Sequence, residues 1–172
     1  MVVLLSHDPA WSDMFATESS QIMDVLRPNA IQIHHIGSTA IPITVAKPIV
    51  DMLVVVQEIN AVDACSESMQ AIGYQVMGEY GIPGRRYFRK DNSSGVRTHH
   101  LHVFAEGSAE IICHLAFRDF MNAHHEFAEK YSRLKQTLAT QPQMTSDNYQ
   151  SGKSVFVREM VQRALEWSGE IH

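Results

Sequence analysis

Residues 49–56 form a nearly unbroken apolar run, Ile-Val-Asp-Met-Leu-Val-Val-Val, and this run constrains the fold more than any other segment. Its length and its β-branched residues are typical of a central strand that is covered on both faces. Such a strand needs partner strands beside it and other elements above and below it. The run therefore predicts an α/β fold built around one buried strand.

Helix and strand signals occur on both sides of this run. Asp8-Pro9 is a helix-start signal, and apolar residues then recur at helical spacing as far as Leu26. We predict helices over residues 9–26 and 59–72, strands over residues 30–36, 74–77, 87–90 and 96–105, and helices again from residue 108 onward. The order predicts one α/β (α+β) domain over residues 1–172, with a mixed β-sheet flanked by helices and a C-terminal helical cover.

Composition excludes several classes of protein. The chain has 172 residues, 45% of them hydrophobic, which is enough for a core without disulfides, and its two cysteines have neither metal-knuckle spacing nor the density of a disulfide framework. The net charge of −5 argues against a broad nucleic-acid-binding surface. No apolar run approaches the roughly 20 residues of a membrane-spanning helix. These features predict a cytoplasmic protein with no membrane partner.

Asp51 is the only charged residue in the apolar run. A carboxylate in such a strand loses its hydration, so it must be hydrogen-bonded, paired, metal-bound or protonated. Two interpretations are open. Asp51 either ties two strands together by accepting hydrogen bonds from the turn at Gly37-Ser38, or it is a catalytic carboxylate or a ligand of a divalent cation.

The segment Gly37-Ser38-Thr39 is the second candidate for chemistry. Glycine after a strand allows a tight turn and a close approach of the backbone to a ligand, while hydroxyl groups and exposed amides can hold phosphate oxygens. A Gly-Ser turn alone is a weak signal. Its spacing to Asp51 strengthens it, because Gly-Ser followed about a dozen residues later by an aspartate in an apolar strand is the arrangement of the nucleotidyltransferase superfamily.

Two longer motifs carry a family resemblance: His34-His35-Ile36-Gly37-Ser38-Thr39-Ala40-Ile41-Pro42, and Ala46-Lys47-Pro48-Ile49-Val50-Asp51-Met52-Leu53-Val54. They closely resemble the signature of the GrpB family. The resemblance continues through Thr98-His99-His100-Leu101-His102-Val103, through Phe117-Arg118-Asp119-Phe120 with His124, Tyr131 and Leu134-Lys135, and through Tyr149 with Gly152-Lys153. It covers almost the whole chain and implies a nucleotidyltransferase-like fold.

Leu53 departs from the pattern of active nucleotidyltransferases. Those enzymes carry two carboxylates two residues apart on this strand, so that both point to one face and hold the metal ions that bridge the triphosphate. Here the second position is Leu53. This substitution argues against a standard two-metal nucleotidyl transfer.

The strand around His100 and His102 offers another set of polar groups. Alternation places these two histidines on one face, with His99 and Leu101 on the other. A neighbouring strand that carries Asp51 would then complete a metal site of two imidazoles and one carboxylate. The alternative is that the histidines hydrogen-bond to Asp51 or to each other and bind phosphate when protonated.

Basic residues are the last candidates. Arginine suits bidentate recognition of phosphate, and the lysines can add positive charge. An alternative is that the arginines are solvated charges on a hairpin. The predicted phosphate-binding residues are Gly37, Ser38, Thr39, Lys47, Arg85, Arg86, Arg89 and Lys153.

From these residues we predict a protein that binds a phosphate-bearing small molecule, a nucleotide, at Gly37-Ser38 with Asp51 opposite. If it is an enzyme, Asp51 positions Mg²⁺ or Mn²⁺ or activates an acceptor hydroxyl for nucleotidyl transfer. The alternative is a non-catalytic nucleotide-binding or regulatory module, which Leu53 favours. Since similar domains are joined to dephospho-coenzyme A kinase, the resemblance also implies a link to coenzyme A metabolism. A third possibility is a hydrolase that uses the histidine face.

Overall fold

The computed structural model of the protein describes residues 2–169, and the chain divides into two compact units. The sheet unit contains Pro9–Ile36 and Ile49–Ile111. The helical unit contains the described residues of Met1–Asp8, Gly37–Pro48 and Ile112–His172. The single domain over residues 1–172 stays a prediction.

The sheet unit is built on five strands with the order β1-β2-β5-β4-β3. Strands β2 and β5 are parallel, and the other neighbours are antiparallel, so the mixed sheet predicted from the sequence is confirmed. The strands are β1 (Ala30–Ile36), β2 (Val50–Val56), β3 (Tyr74–Val76), β4 (Arg86–Asp91) and β5 (Arg97–Ala105), and the helices of this unit are α1 (Ala10–Leu26) and α2 (Ser66–Ala71).

Strand β2 is the interior strand that the apolar run predicts. It pairs with β1 on one side and with β5 on the other, and every residue of the strand except Asp51 is buried. Pairing on both sides satisfies the backbone hydrogen bonds of β2, and its aliphatic side chains stabilise the fold because they are removed from water. Asp51 is therefore the one side chain of this strand that needs a polar partner.

Helix α1 packs against β1 and β2, and its apolar residues Trp11, Ile22 and Leu26 are buried. The same helix carries a buried glutamate, Glu18, that accepts hydrogen bonds from Tyr74 Oη and from Lys90 Nζ, each at 2.8 Å. Burial, together with the Glu18 carboxylate, raises the pKa of Tyr74, so its phenol stays protonated and donates. These contacts fix α1 against β3 and β4.

The predicted helix over residues 59–72 is wrong in its first half. Ile59–Cys65 is a 3₁₀ helix, and only Ser66–Ala71 is α-helical. Ile59, Val62 and Cys65 are spaced by three residues, which is the period of a 3₁₀ helix, and a spacing of three also occurs in every amphipathic α-helix. The apolar pattern therefore could not separate the two structures.

The helical unit begins with a 3₁₀ turn, Ser38–Ala40, and continues with α4 (His125–Ala139), α5 (Ser146–Ser168) and most of α3 (Ala109–Ala123). Its core is formed by apolar side chains from all three helices together with Ile41: Ala116, Phe120, Met121, Ala128, Tyr131, Met160 and Ala164. Among the described residues, every helix is too short or too polar to span a bilayer.

We predict that Glu18→Ala lowers the free energy of unfolding by about 3 kcal/mol, because it leaves a buried hydroxyl and a largely buried ammonium without their acceptor. Chemical denaturation monitored by circular dichroism measures the change. Glu67→Ala, at an exposed position on α2, is the control and should change stability by less than about 0.5 kcal/mol. Equal losses in the two variants would contradict the role assigned to Glu18.

Candidate functional site

Polar side chains gather in two places, one in each unit. The histidine–aspartate cluster, in the sheet unit, consists of Asp51, His100, His102, Arg85 and Tyr87. The lysine cluster, in the helical unit, consists of Ser38, Lys47, Tyr131, Lys135, Tyr149 and Lys153. Both clusters contain residues that the sequence predicts to bind a ligand.

The register of the sheet creates the histidine–aspartate cluster. In the parallel pairing of β2 with β5, Asp51 lies beside His100 and Leu53 lies beside His102, so the two histidines share a face with Asp51. His100 Nδ1 is 3.1 Å from Asp51 Oδ1, and His102 Nε2 is 3.8 Å from the same oxygen. The side chains keep 29% (Asp51), 27% (His100) and 16% (His102) of their surface exposed, so solvent reaches the cluster.

Arg85 fixes the proton arrangement of His102. Its Nη1 lies 3.3 Å from His102 Nδ1, and because a guanidinium can only donate, Nδ1 must be the acceptor. The ring proton of neutral His102 is therefore on Nε2, which faces Asp51. Arg85 itself is buried and also donates to the carbonyls of Glu79 and Tyr80. It thereby holds the loop before β4 in place.

Asp51 is held as a carboxylate. Burial alone would raise the pKa of Asp51, but the hydrogen bonds from His100 and His102, and the positive charge that these rings carry when protonated, lower it below its ordinary value of 3.8. An ionised Asp51 that accepts from His100 Nδ1 leaves Nε2 of that ring as the atom facing away from the carboxylate. A carboxylate–imidazole pair of this kind can orient a proton acceptor or a metal-binding nitrogen.

Tyr87 packs against this cluster from β4. Its ring centroid lies 5.8 Å from that of His100 and 5.4 Å from that of His102, and the Arg85 guanidinium lies 4.8 Å from the ring centre. Burial and the nearby Asp51 raise the pKa of Tyr87. The exposed ring of Tyr80 stacks on it at 5.2 Å. Both imidazoles therefore pack against the ring of Tyr87, which is itself stacked on Tyr80.

Hydrogen bonds between imidazole rings and a carboxylate join the predicted metal ligands, which are Asp51, His100 and His102. Within residues 2–169, no group of three or more His, Cys, Asp or Glu side chains has an arrangement suited to a metal ion. The geometry thus agrees with the second interpretation of the histidines, hydrogen bonding to Asp51. Metal binding by these three residues stays a prediction that their arrangement does not support.

The predicted arginines separate into two groups. Arg89 pairs in register with His100 and lies on the face of Asp51, where its side chain donates to Gln75. Arg86 pairs in register with Val103 and therefore lies on the opposite face, where its Nε is 2.6 Å from Asp63 Oδ1. The structure brings Arg85, from the loop before β4, to the histidine–aspartate cluster. It does not bring Arg86 there, because Arg86 and Tyr87 are consecutive residues of β4 and point to opposite faces.

The lysine cluster starts at the turn predicted to hold phosphate. Gly37 has φ 70° and ψ −170°, a conformation that is essentially restricted to glycine, and Ser38 follows it as the first residue of the 3₁₀ turn. Thr44 Oγ1 donates to the Ser38 carbonyl at 2.9 Å, so the backbone of Ser38 is fixed. Thr39, which the sequence also predicts to hold phosphate, is buried with 2% of its surface exposed.

Lys135 is a buried residue of this cluster that was not among the predicted site residues. Only 2% of its surface is exposed, and its Nζ donates to Ser38 Oγ at 2.8 Å and to the carbonyl of Val45. The ammonium also lies 4.2 Å from the centre of the Tyr131 ring. Burial, helped by repulsion from Lys153, lowers the pKa of Lys135 to about 7. No carboxylate of the described chain forms a salt bridge with it.

A signal for Lys135 is present in the sequence. Tyr131, Lys135 and Leu138 are spaced by four and three residues, so a lysine occupies the apolar stripe of α4. A lysine at such a position must be buried and needs a partner, because unpaired lysines are almost never fully buried. Lys135 lies in one of the segments that resemble the GrpB family, and the apolar stripe by itself predicts its burial.

The predicted residues Lys47 and Lys153 lie together in the helical unit. Their ammonium groups are 4.5 Å (Lys47) and 4.7 Å (Lys153) from the centre of the buried ring of Tyr149. Lys47 Nζ is also 3.5 Å from Ser146 Oγ. The three lysines of the cluster therefore lie beside its two neighbouring tyrosine rings. They concentrate positive charge in one place, although the net charge of the chain is −5.

The contact of one ligand with both Gly37-Ser38 and Asp51 stays a prediction. Within the sheet unit, Ile36 at the end of β1 is the register partner of Asp51, and Gly37 is the next residue of the chain. This pairing is the structural basis of the spacing between Gly37-Ser38 and Asp51 in the sequence.

Comparison with solved structures identifies the class of fold. The crystal structure of the conserved protein GrpB from Enterococcus faecalis matches with a TM-score of 0.91 at 37% identity, over 96% of this chain and 99% of that one. A structure of Cid1 in complex with its short product ApU matches with a TM-score of 0.54 at 10% identity, over 77% of this chain and 42% of that one. The fold is nucleotidyltransferase-like, as predicted.

Sequence comparison identifies the family. The model of the GrpB protein family matches residues 1–163. The UPF0157 protein YqkA of Bacillus subtilis is 41% identical over 166 residues, which are 96% of this chain and 48% of that protein. A dephospho-CoA kinase of Mycobacterium bovis is 23% identical over 98% of this chain and 47% of that protein. This chain belongs to the GrpB family, and it spans about half the length of these two relatives.

We predict that Leu53→Asp destabilises the protein and does not create a metal site. Leu53 is 0% exposed, so a carboxylate there would be desolvated at a cost on the order of 3–5 kcal/mol. Thermal denaturation with and without Mn²⁺ measures both effects, and Leu53→Asn, of similar shape but neutral, is the control. Recovery of wild-type stability by Leu53→Asp on addition of Mn²⁺ would contradict the prediction.

We also predict that neutral His102 carries its proton on Nε2 and that Nδ1 has none, because Arg85 donates to Nδ1. Long-range ¹H–¹⁵N NMR of the imidazole rings at mildly alkaline pH distinguishes the tautomers. His125, which is exposed at the start of α4, is an internal reference and should show a mixture of tautomers. A protonated Nδ1 in neutral His102 would disprove the contact with Arg85.

Proposed function

We propose that this protein binds the phosphate groups of a nucleotide through the lysine cluster, and one observation supports this above all. Lys135 is a buried ammonium joined to the hydroxyl of Ser38, with a second lysine near enough to lower its pKa and no carboxylate of the described chain as a salt-bridge partner. A buried positive charge without a counter-charge is costly, and a bound anion would offset that cost.

The chemistry of the cluster fits a polyphosphate better than a single small anion. Lys47 and Lys153 stand over Tyr149, while Lys135 stands over Tyr131, so the positive charge is spread along the cluster. Phosphates attract lysine as a point charge and accept hydrogen bonds from hydroxyl groups, which Ser38 provides. The cluster is small and local, in keeping with an acidic chain and a small-molecule ligand.

The nucleotidyltransferase-like fold supports a nucleotide as the carrier of these phosphates. The solved structures of Cid1 include one with MgGTP bound, and that protein is a poly(U) polymerase. As part of the proposal, Arg85 and Arg89 add positive charge on the face of Asp51, and Mg²⁺ or Mn²⁺ accompanies the nucleotide. A cytoplasmic location also belongs to the proposal.

Transfer of the nucleotidyl group to a small acceptor is the catalytic form of this proposal. Asp51 would then position a divalent cation or, through the imidazole of His100, remove a proton from the acceptor hydroxyl. A binding module without catalysis is the second candidate, and the buried Leu53 at the position of the second carboxylate favours it. The similarity to dephospho-CoA kinases supports a place for either form in coenzyme A metabolism.

We expect Lys135→Met to weaken the binding of ATP by at least about tenfold, because a charge-assisted hydrogen bond contributes about 1.5–3 kcal/mol. Isothermal titration calorimetry measures the dissociation constant. Lys130→Met is the matched control, since this lysine lies on the same helix with its ammonium over the ring of Phe127. Binding unchanged by Lys135→Met, or absent in the wild type, would contradict the proposal.

The pH dependence of binding tests the same residue. Lys135 has a pKa near 7, below the ordinary value of 10.5, so it is positively charged below pH 7 and increasingly neutral above it. The ratio of wild-type to Lys135→Met affinity should therefore fall as the pH rises through about 7. Comparing the two proteins cancels the ionisation of the phosphate itself. A ratio that is independent of pH would show that Lys135 does not contribute its charge to binding.

A further inference from the structure

Ser38 and Lys135 have the geometry of a nucleophile and its proton acceptor. Ser38 Oγ lies 2.8 Å from Lys135 Nζ, and Ser38 is partly exposed while the lysine is buried. We propose that Ser38 accepts the terminal phosphoryl group of a bound nucleoside triphosphate, with Lys135 taking the serine proton. This inference rests on the proposed binding of nucleotide phosphates by the lysine cluster.

The contacts of Lys135 suit a neutral amine. A neutral amine has two N–H donors and one lone pair, and the Val45 carbonyl can accept one of the donors while the lone pair accepts from the Ser38 hydroxyl. In the described chain, no hydrogen bond from the Ser38 hydroxyl to another acceptor competes with this arrangement. A pKa near 7 makes the neutral form available at physiological pH.

The other groups around Lys135 do not prevent this role. Its amine is faced by the Tyr131 ring from α4 itself, by Ser38 and Val45 from the segment before β2, and by the charge of Lys153 from α5. Lys153 and Lys47 can still attract the phosphates while Lys135 is neutral. Two lysines therefore still supply positive charge to the phosphates when Lys135 is neutral and accepts the serine proton.

The Ser38 side chain is presented by a fixed backbone. The Ser38 carbonyl accepts from Thr44 Oγ1 at 2.9 Å and from the Ile41 amide at 3.1 Å. The preceding Gly37 has a backbone conformation that other residues avoid. A nucleophile held in this way loses little conformational freedom when it reacts.

The step is balanced without an oxidant or reductant. The Ser38 Oγ–H bond breaks and its proton moves to Lys135 Nζ, while Oγ forms a bond to the terminal phosphorus. The bond from that phosphorus to the bridging oxygen breaks with its electron pair, and a nucleoside diphosphate leaves. The terminal phosphate is the expected target because it carries the most negative charge and the lysines attract it most strongly.

The test is incubation of the full chain with ATP and Mg²⁺, followed by intact-mass measurement and peptide mapping. We expect the mass of one phosphoryl group on Ser38. Ser38→Ala should remove it, while Ser154→Ala, at an exposed serine of α5, should keep it. At saturating ATP, where weaker binding no longer limits the rate, Lys135→Met should slow the reaction at least about tenfold. Thermal denaturation confirms that each variant is folded.

Opposite pH trends separate proton acceptance from binding. At saturating ATP the rate should rise with pH as Lys135 loses its proton, at a pH above that in the ligand-free protein because bound phosphates raise the pKa of an ammonium, while the affinity for ATP falls as the pH rises above about 7. ATP binding without phosphate on Ser38, or a nucleotidyl group there instead, would overturn the inference and leave the proposed function standing. Absence of both binding and modification would overturn both. A rate that is independent of pH and of Lys135 would overturn its role as proton acceptor.

Discussion

The burial of strand β2 is the constraint on which the sheet unit depends. Because this strand is paired on both sides and covered on both faces, its one carboxylate must find partners on a neighbouring strand. Parallel pairing with β5 supplies them, since His100 lies directly beside Asp51 and His102 is two residues further along the same face. Arg85 and Tyr87 then determine how these rings are held.

The helical unit also buries an ionisable side chain, but this side chain is a lysine rather than a carboxylate. Lys135 lies on the apolar stripe of α4, and its ammonium is satisfied by a serine hydroxyl, a carbonyl and an aromatic ring rather than by a carboxylate. Such partners accept hydrogen bonds or interact with a cation, but they do not neutralise it. The lowered pKa of Lys135 is the electrostatic result, and it leaves the residue able to exist in either protonation state at neutral pH.

Local patterns predicted most of the fold, and contacts between distant residues account for what they missed. The strand from Ala30 to Ile36 and the face shared by His100 and His102 follow from alternation within short segments. Alternation also separates Arg86 from Tyr87 of the histidine–aspartate cluster, but the pairing of Arg86 with Asp63 depends on a contact between residues that are distant in the sequence. The link between Lys135 and Ser38 joins residues 97 positions apart, so spacing alone could not reveal it.

Strand β5 also carries a constraint on chain length. Its alternate residues serve different purposes, since His100 and His102 face Asp51 while His99 and Leu101 are buried on the other side. The turn before β5 is closed by Asn92, whose side chain accepts from the amides of Ser94 and Val96. A length change there that shifts β5 by one residue against β2 would exchange the two faces, presenting His99 and Leu101 to the carboxylate. Relatives that keep this chemistry should therefore absorb changes of length within that loop and keep the register of β5 against β2.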